Sequence, residues 1–184
     1  MEKRSITHFV GFVTQLDQDL FLDQWTQQYF RGEPHGAGAV QLYENAKGKL
    51  RYKYISQHSF NKEDFSFSFL KDRNSGNFPE RSVRVLMLGG YKPVETGHAP
   101  ATGKSAIKIS FFFNHFRADD EIYQLLIQYP GYTTYHPFYE NCVYELILEL
   151  ILDEAGINSL LEKLKKDGPE YAIYRKCKIP HSVA

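Results

Sequence analysis

The strongest constraint on the fold of this 184-residue chain is the order in which its apolar residues change periodicity. Alternation with a period of two indicates a strand, whereas recurrence at three- and four-residue steps indicates a helix. From the amino terminus, the chain runs strand, helix, strand, strand, helix, strand, and then repeats that order. The strands are predicted over residues 6–14, 39–44, 50–56, 83–91, 107–113, 132–138, 141–150 and 171–179.

Three of the four predicted helices have recognisable end signals. Asp17 and Asp19 complement the dipole at the start of the first helix. Two more helices are predicted over 119–129 and 153–166. The segment 60–73 combines a strand-like alternation of Phe with a helix-like start, and we expect a helix there because the element order needs one.

This order of elements resembles the βαββαβ pattern of ferredoxin-like folds, in which two helices cover one face of an antiparallel sheet. The resemblance implies an α+β fold of two tandem ferredoxin-like halves with antiparallel sheets. The halves could pack sheet to sheet, as the two chains of dimeric α+β barrel proteins do. We place the first half at residues 1–96, a connecting loop at 97–104 and the second half at 105–184, all in one globular unit.

A weak sequence similarity between the two halves accompanies the repeated order of elements. When the sequence from residue 106 onward is aligned with the sequence from residue 6 onward, Phe112 matches Phe12 and Asp119 matches Asp19. Such few identities leave chance and a true internal repeat equally open. The prediction of two halves therefore rests on the order of the elements.

The charge balance and the apolar runs argue against several partners and locations. Lys plus Arg and Asp plus Glu number 22 each, whereas a nucleic-acid-binding protein usually carries a basic face. The longest apolar run, 146–152, is interrupted by Glu149, and nothing approaches the roughly 20 apolar residues that span a bilayer. The amino terminus leads into a strand pattern without an apolar signal core. We therefore predict a soluble, cytoplasmic protein without membrane contact.

The sequence encodes no local metal or phosphate site, and no cofactor is identified from it. Cys142 and Cys177 lie among apolar residues and are expected to be reduced core residues. The seven histidines include no HxH, HExxH or HxxxH pair. The segment 97–105 ends in Gly-Lys-Ser like a phosphate-binding loop, but a strand follows where that loop requires a helix.

Aromatic residues make up 15% of the chain, which suits half-buried strand faces and also protein interfaces. The segment 49–54 interleaves cations with Leu and Tyr, a pattern that single-stranded nucleic acid could use for stacking. In a strand, however, the cations and the rings face opposite sides. Weak single-stranded nucleic-acid binding is therefore the least favoured hypothesis.

Two histidines in loop or aromatic surroundings are the candidate catalytic residues. His136 lies in the segment 132–139, where rings and a titratable group are mixed, and His98 lies in the long stretch 92–104. Histidine can act as a general acid or base near neutral pH. An ordinary edge-strand surface would give the same pattern around His136. The candidate binding residues are Tyr135, Tyr139 and Tyr91.

Other polar clusters have a structural explanation. Asp119, Asp120 and Glu121 fall in the first turn of a predicted helix, where capping explains them. No GxSxG motif is present, and neither cysteine has a histidine neighbour in the sequence.

The leading functional hypothesis is a binding or interaction protein without a catalytic role, since no catalytic motif is present. The alternative is a small-molecule-binding enzyme or sensor with an aromatic and histidine pocket between sheet and helices. The partner is then a protein or a small molecule. The sequence does not define the oligomeric state.

Overall fold

The computed structural model describes residues 5–30, 37–48, 50–61, 82–95, 107–164 and 169–177. Eight strands and three helices lie in these ranges. The strands are β1 (Ile6–Thr14), β2 (Ala37–Gly48), β3 (Tyr54–Phe60), β4 (Val83–Glu95), β5 (Ile107–Phe113), β6 (Thr133–Pro137), β7 (Leu146–Leu152) and β8 (Glu170–Lys176). The helices are α1 (Gln18–Phe30), α2 (Glu121–Leu126) and α3 (Glu154–Lys163).

The eight strands close into one antiparallel barrel, in the order β1-β3-β2-β8-β5-β7-β6-β4. The first four strands stand side by side as β4-β1-β3-β2, and the last four follow the corresponding order β8-β5-β7-β6. Two seams, β2–β8 and β4–β6, join these sets. The predicted α+β fold with an antiparallel sheet is confirmed, and its two sets of strands pack as a closed barrel.

Both faces of the barrel wall are buried, as β1 illustrates. Phe9 faces the barrel interior, which we call the lumen, whereas Val10 and Phe12 face outwards beneath α1. Successive side chains of a strand point to opposite faces, so a strand buried on both faces is apolar throughout. Phe21 and Trp25 of α1 complete the outer cluster.

The outer face of β5 and β7 is covered by the two other helices. Ile109 and Leu148 of these strands belong to one buried cluster with Leu126 of α2 and with Ile157 and Leu160 of α3. The helices of the described residues thus lie outside the barrel, and the lumen is filled by side chains of the strands and of the connections that carry Tyr52 and Tyr144.

The two strands predicted to form a hairpin do pair antiparallel, as β2 and β3, but the turn is not at residues 45–48, because β2 continues through them. β2 pairs with β3 as far as Glu44, and from Tyr43 to Gly48 it pairs with β8 and closes the barrel. Gly48 ends the strand with a φ of +151°, and a Cβ there would lie 2.3 Å from the carbonyl oxygen of Tyr171. Only glycine fits so close an approach of two backbones.

β4 is longer than predicted, since it ends at Glu95 and not at residue 91. Residues 92–95 therefore belong to a strand that pairs with β6, and Pro93 stands opposite Tyr135. The predicted connecting loop at 97–104 lies outside the described residues, so the boundaries of the two halves stay a prediction.

The other boundary differences are local. Phe60 is the last residue of β3, and most of the predicted helix over 60–73 lies outside the described residues. β7 begins at Leu146 because the preceding residues cross over β4, where the Val143 amide donates a 2.8 Å hydrogen bond to the Leu88 carbonyl. α2 ends at Leu126, three residues before its predicted end.

Cys142 is half-buried and Cys177 is buried, and neither forms a disulfide. Among the helices of the described ranges, none combines the length and the apolar character needed to cross a membrane.

Candidate functional site

A network of polar side chains lies on the lumen side of β3, β5 and β7. Glu149 of β7 is buried, and its Oε2 lies 2.9 Å from Lys108 Nζ and accepts a 3.0 Å hydrogen bond from the Tyr135 hydroxyl. Its Oε1 accepts hydrogen bonds from Gln57 Nε2 at 2.6 Å and from Ser110 Oγ at 3.0 Å. We call this group the ion-pair network.

Lys108 completes the ion-pair network from β5. Its Nζ also donates to the Tyr43 hydroxyl at 3.3 Å and to Gln57 Oε1 at 3.2 Å, and it lies 4.4 Å from the centre of the Tyr43 ring. Burial by itself lowers the pKa of Lys108, but the charge of Glu149 and these hydrogen bonds outweigh it. The pKa of Lys108 is therefore raised, which keeps its ammonium group charged.

The hydrogen-bonding capacity of this ion pair is used up by the protein. An ammonium has three donors and a carboxylate about four acceptor positions, and the contacts above fill them. A ligand would have to displace a partner and leave a buried polar group unsatisfied, at a cost of about 1–3 kcal/mol. The interior of an eight-stranded barrel has room for side chains or for one small ligand, and here large side chains such as Tyr91, Phe9 and Phe112 are buried in it. The network therefore ties strands together and is not a ligand site.

A second series of hydrogen-bonded side chains leads from the lumen to the surface. The Tyr144 hydroxyl lies 3.3 Å from the Tyr52 hydroxyl and 3.3 Å from Glu170 Oε2. The two tyrosines are buried, whereas Glu170, the first residue of β8, is exposed. Burial, followed by the bond with Tyr52, raises the pKa of Tyr144. Tyr144 therefore keeps its proton and can donate it to one oxygen of Glu170.

A surface cleft of about 280 Å³ opens beside Glu170. Its apolar lining consists of Phe112 and Phe113 at the end of β5 and of the half-buried Ile122 and Pro169. Its polar lining, which we call the polar wall, consists of Asn114, His115, Asp120 and Glu170.

The connection from β5 to α2, which carries most of the polar wall, is fixed by its own hydrogen bonds. Asp120 caps α2, because its Oδ1 accepts from the amides of Ile122 at 2.8 Å and Tyr123 at 3.1 Å. The Phe116 amide donates to Glu145 Oε2 at 2.7 Å. The wall of the cleft is therefore held in place before any ligand arrives.

The polar wall differs from the ion-pair network in its unused hydrogen-bonding capacity. Within the described ranges, Oδ2 of Asp120 and Oε1 of Glu170 have no hydrogen-bond partner in the protein, and the side-chain amide of Asn114 has none either. A ligand can bind these groups without displacing a protein partner. The cleft is therefore the candidate functional site.

His115 stands at the rim of the cleft. Its side chain is 94% exposed, and its Nδ1 lies 3.7 Å from Oε1 of Glu145. So exposed and loose a contact contributes little to stability. The imidazole is therefore available to a ligand in the cleft.

The predicted binding residues Tyr135 and Tyr91 both face the lumen. Their rings contact Phe9 edge to face, with centroid distances of 5.0 and 5.6 Å. The hydroxyl of Tyr135 is bound to Glu149, and that of Tyr91 lies 3.1 Å from the Leu88 carbonyl. Both tyrosines are thus engaged in the packing of the lumen.

The other predicted site residues lie elsewhere. His136 is half-buried outside the barrel, where burial lowers its pKa and its Nε2 lies 3.1 Å from the Thr134 hydroxyl. The ring of Tyr139 covers His8, with 5.8 Å between centroids. His98 lies outside the described residues. The four described residues are not brought into one pocket, and the role of all five in binding stays a prediction.

The segment proposed for nucleic-acid stacking has buried rings. Tyr52 and Tyr54 are 1% and 0% exposed, and the charged ends of Arg51 and Lys53 lie 5.3 and 5.6 Å from their ring centres. These rings present no surface on which a base could stack, which removes the feature on which that hypothesis depends.

Sequence reasoning explained Asp120 as a helix cap, which is correct, but missed the cleft that Asp120 lines. Glu170 and Phe112 reach the cleft from β8 and β5, which become neighbours only in the folded barrel. The position of His115 directly beyond a predicted strand end was the available local signal.

Comparisons of sequence give no family for this chain: no protein-family model and no curated protein matches it. Within the described residues, no three His, Cys, Asp or Glu side chains are grouped so that they could hold a metal ion.

Solved structures do match over almost the whole chain. A substituted chlorite dismutase from Candidatus Nitrospira defluvii has a TM-score of 0.56 and 11% identity, over 97% of this chain and 93% of that chain. Chlorite dismutase from the same organism in complex with imidazole has a TM-score of 0.55 and 10% identity, over 95% and 92%. A protein provisionally assigned as a monooxygenase, from Fusobacterium nucleatum subsp. nucleatum, has a TM-score of 0.53 and 12% identity, over 97% and 94%. This chain therefore shares their fold.

Proposed function

We propose that this protein binds a small molecule in the cleft at the end of the barrel and acts on that molecule as an enzyme or a sensor. The observation that carries the proposal is the lining of the cleft. Carboxylate oxygens of Asp120 and Glu170 with unused capacity line the cleft together with its apolar lining. A concave site with an apolar lining and a few polar groups is the usual form of a small-molecule site.

The names of the structural neighbours support an enzyme more than a protein-interaction module, because they are a dismutase and a provisionally assigned monooxygenase. The exposed large apolar side chains of the described residues are few and lie on separate parts of the chain, as is normal for a surface. They are Leu20, Val94, Phe138, Val143 and Ile151.

The proposal includes the division of the chain into two tandem ferredoxin-like halves, at residues 1–96 and 105–184 with a connection at 97–104. The repeated strand order supports this division. The residues that line the cleft then all belong to the second half.

The proposal is tested first by native and denaturing mass spectra of the protein as purified, followed by a thermal-shift screen of a metabolite library. Ligands found in either way are titrated into Asp120→Asn and Glu170→Gln, with Glu162→Gln on the exposed side of α3 as the matched control. Asn caps a helix as well as Asp does, and Gln keeps an acceptor for Tyr144. These substitutions should therefore preserve the fold.

We expect the affinity to fall about tenfold in a cleft variant, which corresponds to about 1.4 kcal/mol, and to stay unchanged in the control. A ligand whose affinity is unchanged in both cleft variants, but lost in His136→Ala or Tyr135→Phe, would move the site to the residues predicted from sequence. That result would refute the cleft as the binding site.

A further inference from the structure

One buried hydroxyl of the lumen is not used by the ion-pair network. The side chain of Tyr174 on β8 is 3% exposed, and its hydroxyl has no hydrogen-bonding partner among the described residues. Buried polar groups of folded proteins are nearly always hydrogen-bonded, either to the protein or to an ordered water molecule. The Tyr174 hydroxyl therefore points to a bound water.

Tyr174 lies beside the ion-pair network. It stands opposite Lys108 in the pairing of β8 with β5, and the centre of its ring lies 5.2 Å from that of Tyr43. Burial, followed by the charge of Glu149, raises the pKa of Tyr174 well above its usual value. The phenol therefore keeps its proton and needs an acceptor for it.

Ser110 of β5 has an acceptor to offer. Its hydroxyl donates to Glu149 Oε1 at 3.0 Å and keeps its own acceptor positions, because a hydroxyl has one donor and two acceptors. Ser110 is close enough to Tyr174 to lower its pKa in small part, but the two hydroxyls are not in hydrogen-bonding geometry. A water that accepts from Tyr174 and donates to Ser110 bridges such a pair.

Small side chains border this place in the lumen. Ser110 stands opposite Ala172 in the pairing of β5 with β8, and Ala172 lies on the same face as Tyr174, two residues before it. The other buried residues of the lumen cluster are Leu, Ile, Phe or Tyr. The lumen wall is therefore lowest next to the unpartnered hydroxyl, which leaves space for a molecule as small as water.

A second unpartnered atom lies on the same side of the lumen. Asn45 of β2 stands opposite Tyr174 in the pairing of β2 with β8, and opposite residues of antiparallel strands share a face. Its Nδ2 donates to the carbonyls of Leu50 and Tyr52, so its buried Oδ1 has no partner among the described residues. Unused hydrogen-bonding capacity is therefore concentrated beside the β2–β8 seam.

We propose that the lumen binds an ordered water molecule, which accepts a hydrogen bond from the Tyr174 hydroxyl and donates one to Ser110 Oγ. Through Ser110 the water connects Tyr174 to Glu149. It thereby extends the ion-pair network to β8, the strand that forms a seam with β2. The water lies inside the barrel, so its presence is independent of the function proposed for the cleft.

The first test is a high-resolution crystal structure of the full-length protein and of its Tyr174→Phe variant. We expect a water about 2.7–2.8 Å from Tyr174 Oη and within hydrogen-bonding distance of Ser110 Oγ. It should be lost in Tyr174→Phe, because an internal water needs at least two polar partners. A direct hydrogen bond between Tyr174 and Ser110, or a Tyr174 hydroxyl without any partner, overturns the proposal.

Thermal unfolding is a second test that needs no crystals. Removal of a satisfied buried hydroxyl loses a hydrogen bond, whereas removal of an unsatisfied one relieves a penalty. We expect the Tm of Tyr174→Phe to fall by about 2–4 °C, the effect of one net hydrogen bond in a chain of this size. The matched control is Tyr171→Phe, half-buried on the outer face of the same strand, which should change the Tm less. An unchanged or raised Tm in Tyr174→Phe overturns the water site.

Discussion

At the scale of single residues, Glu149 and Lys108 are the pair whose removal should disturb the fold most. Burying two charges stabilises a protein only while both are present, because a lone buried charge has lost its hydration without compensation. Glu149 keeps four hydrogen-bonding partners around its carboxylate, and Lys108 retains 17% exposure.

We therefore expect Glu149→Gln to lower the free energy of unfolding by about 3 kcal/mol, at the lower end of the range for a buried pair because Lys108 reaches solvent. Urea denaturation measures this, with the exposed Glu162→Gln as a control that should stay within about 0.5 kcal/mol. The double variant with Lys108→Met should lose less than the sum of the two single variants. Additive losses would show that the pair is not coupled.

His8 is the second residue with a measurable signature. It is fully buried between β3 and the ring of Tyr139, and burial lowers its pKa from 6.5 to about 4. Between these values the unfolded chain binds a proton at His8 and the folded chain does not. Acid therefore favours unfolding across this window.

We expect the stability of the protein to fall as the pH drops from about 6.5 to 4, with a contribution from His8 of up to about 3 kcal/mol. His8→Gln cannot titrate, so its stability curve should be flatter over this range. The measurement is urea denaturation of both proteins at several pH values. Parallel curves for the two proteins would contradict the assignment to His8.

Local sequence signals at this scale were partly informative. Glu149 visibly interrupts an apolar run, and His8 visibly sits on an apolar strand face. Their partners were not predictable, because Gln57 precedes Glu149 by 92 residues and only barrel closure brings them together. The same reason hid the cleft, whose carboxylates come from a loop and from the start of β8.

At the scale of elements, the connection from β6 to β7 is held against β4 at Gly89 and Gly90. The Phe138 amide donates to the Gly90 carbonyl at 2.9 Å, and the Cys142 thiol lies 3.3 Å from the same oxygen. A Cβ on Gly90 would lie 2.7 Å from both the His8 ring and the Tyr139 ring. The absence of a side chain there lets the connection lie flat on the sheet.

Gly90→Ala should therefore destabilise the protein by about 1–3 kcal/mol, the usual effect of overpacking. Thermal or urea unfolding measures the change. In a Tyr139→Ala background the same substitution should have a smaller effect, because the added methyl group gains space. An equal loss in both backgrounds would place the strain elsewhere. Gly156→Ala in α3 is the control, since its Cβ would lie 2.9 Å from the side-chain carboxylate of Asp153 and no closer than 3.4 Å to Leu152.

The alternation of side chains between the two faces of a strand also tests the sequence similarity between the halves. Phe12 lies in the outer cluster beneath α1, whereas Phe112 lies in the lumen cluster. A shift by one residue moves a side chain to the other face of a sheet, so these two phenylalanines are not equivalent positions. The strand order repeats, but these matched residues do not support a repeat of sequence.

At the scale of the whole molecule, the closed barrel makes the two sets of strands depend on each other. The first set contributes Gln57 and Tyr43 to the ion-pair network, and the second contributes Lys108, Ser110 and Glu149. Each set alone would also expose the edges that now form the seams β2–β8 and β4–β6. An isolated half would therefore have exposed sheet edges and a partly solvated charge pair. Both features destabilise the folded state of the half.

We expect fragments 1–100 and 101–184 to be unfolded or aggregated separately and to form a folded complex when mixed. Circular dichroism and size-exclusion chromatography measure this. A fragment that unfolds cooperatively on its own, as a monomer or as its own dimer, would contradict the mutual dependence of the two sets.

The sequence predicted the class of the fold, but it did not predict how the strands close into a barrel. Apolar periodicity placed β1, the first part of β4 and β5 closely, because those strands alternate over their whole length. It misplaced the ends of β2 and β4, because these parts pair with β8 and β6 across the barrel and not with their neighbours in sequence.

The most direct test of the cleft as the functional site is a crystallographic fragment screen of the full-length protein. We predict that fragments cluster between Asp120, Glu170 and Ile122 and that none enters the ion-pair network of the lumen. A cleft that stays empty while fragments occupy the lumen, or the surface around His136, would contradict the central claim.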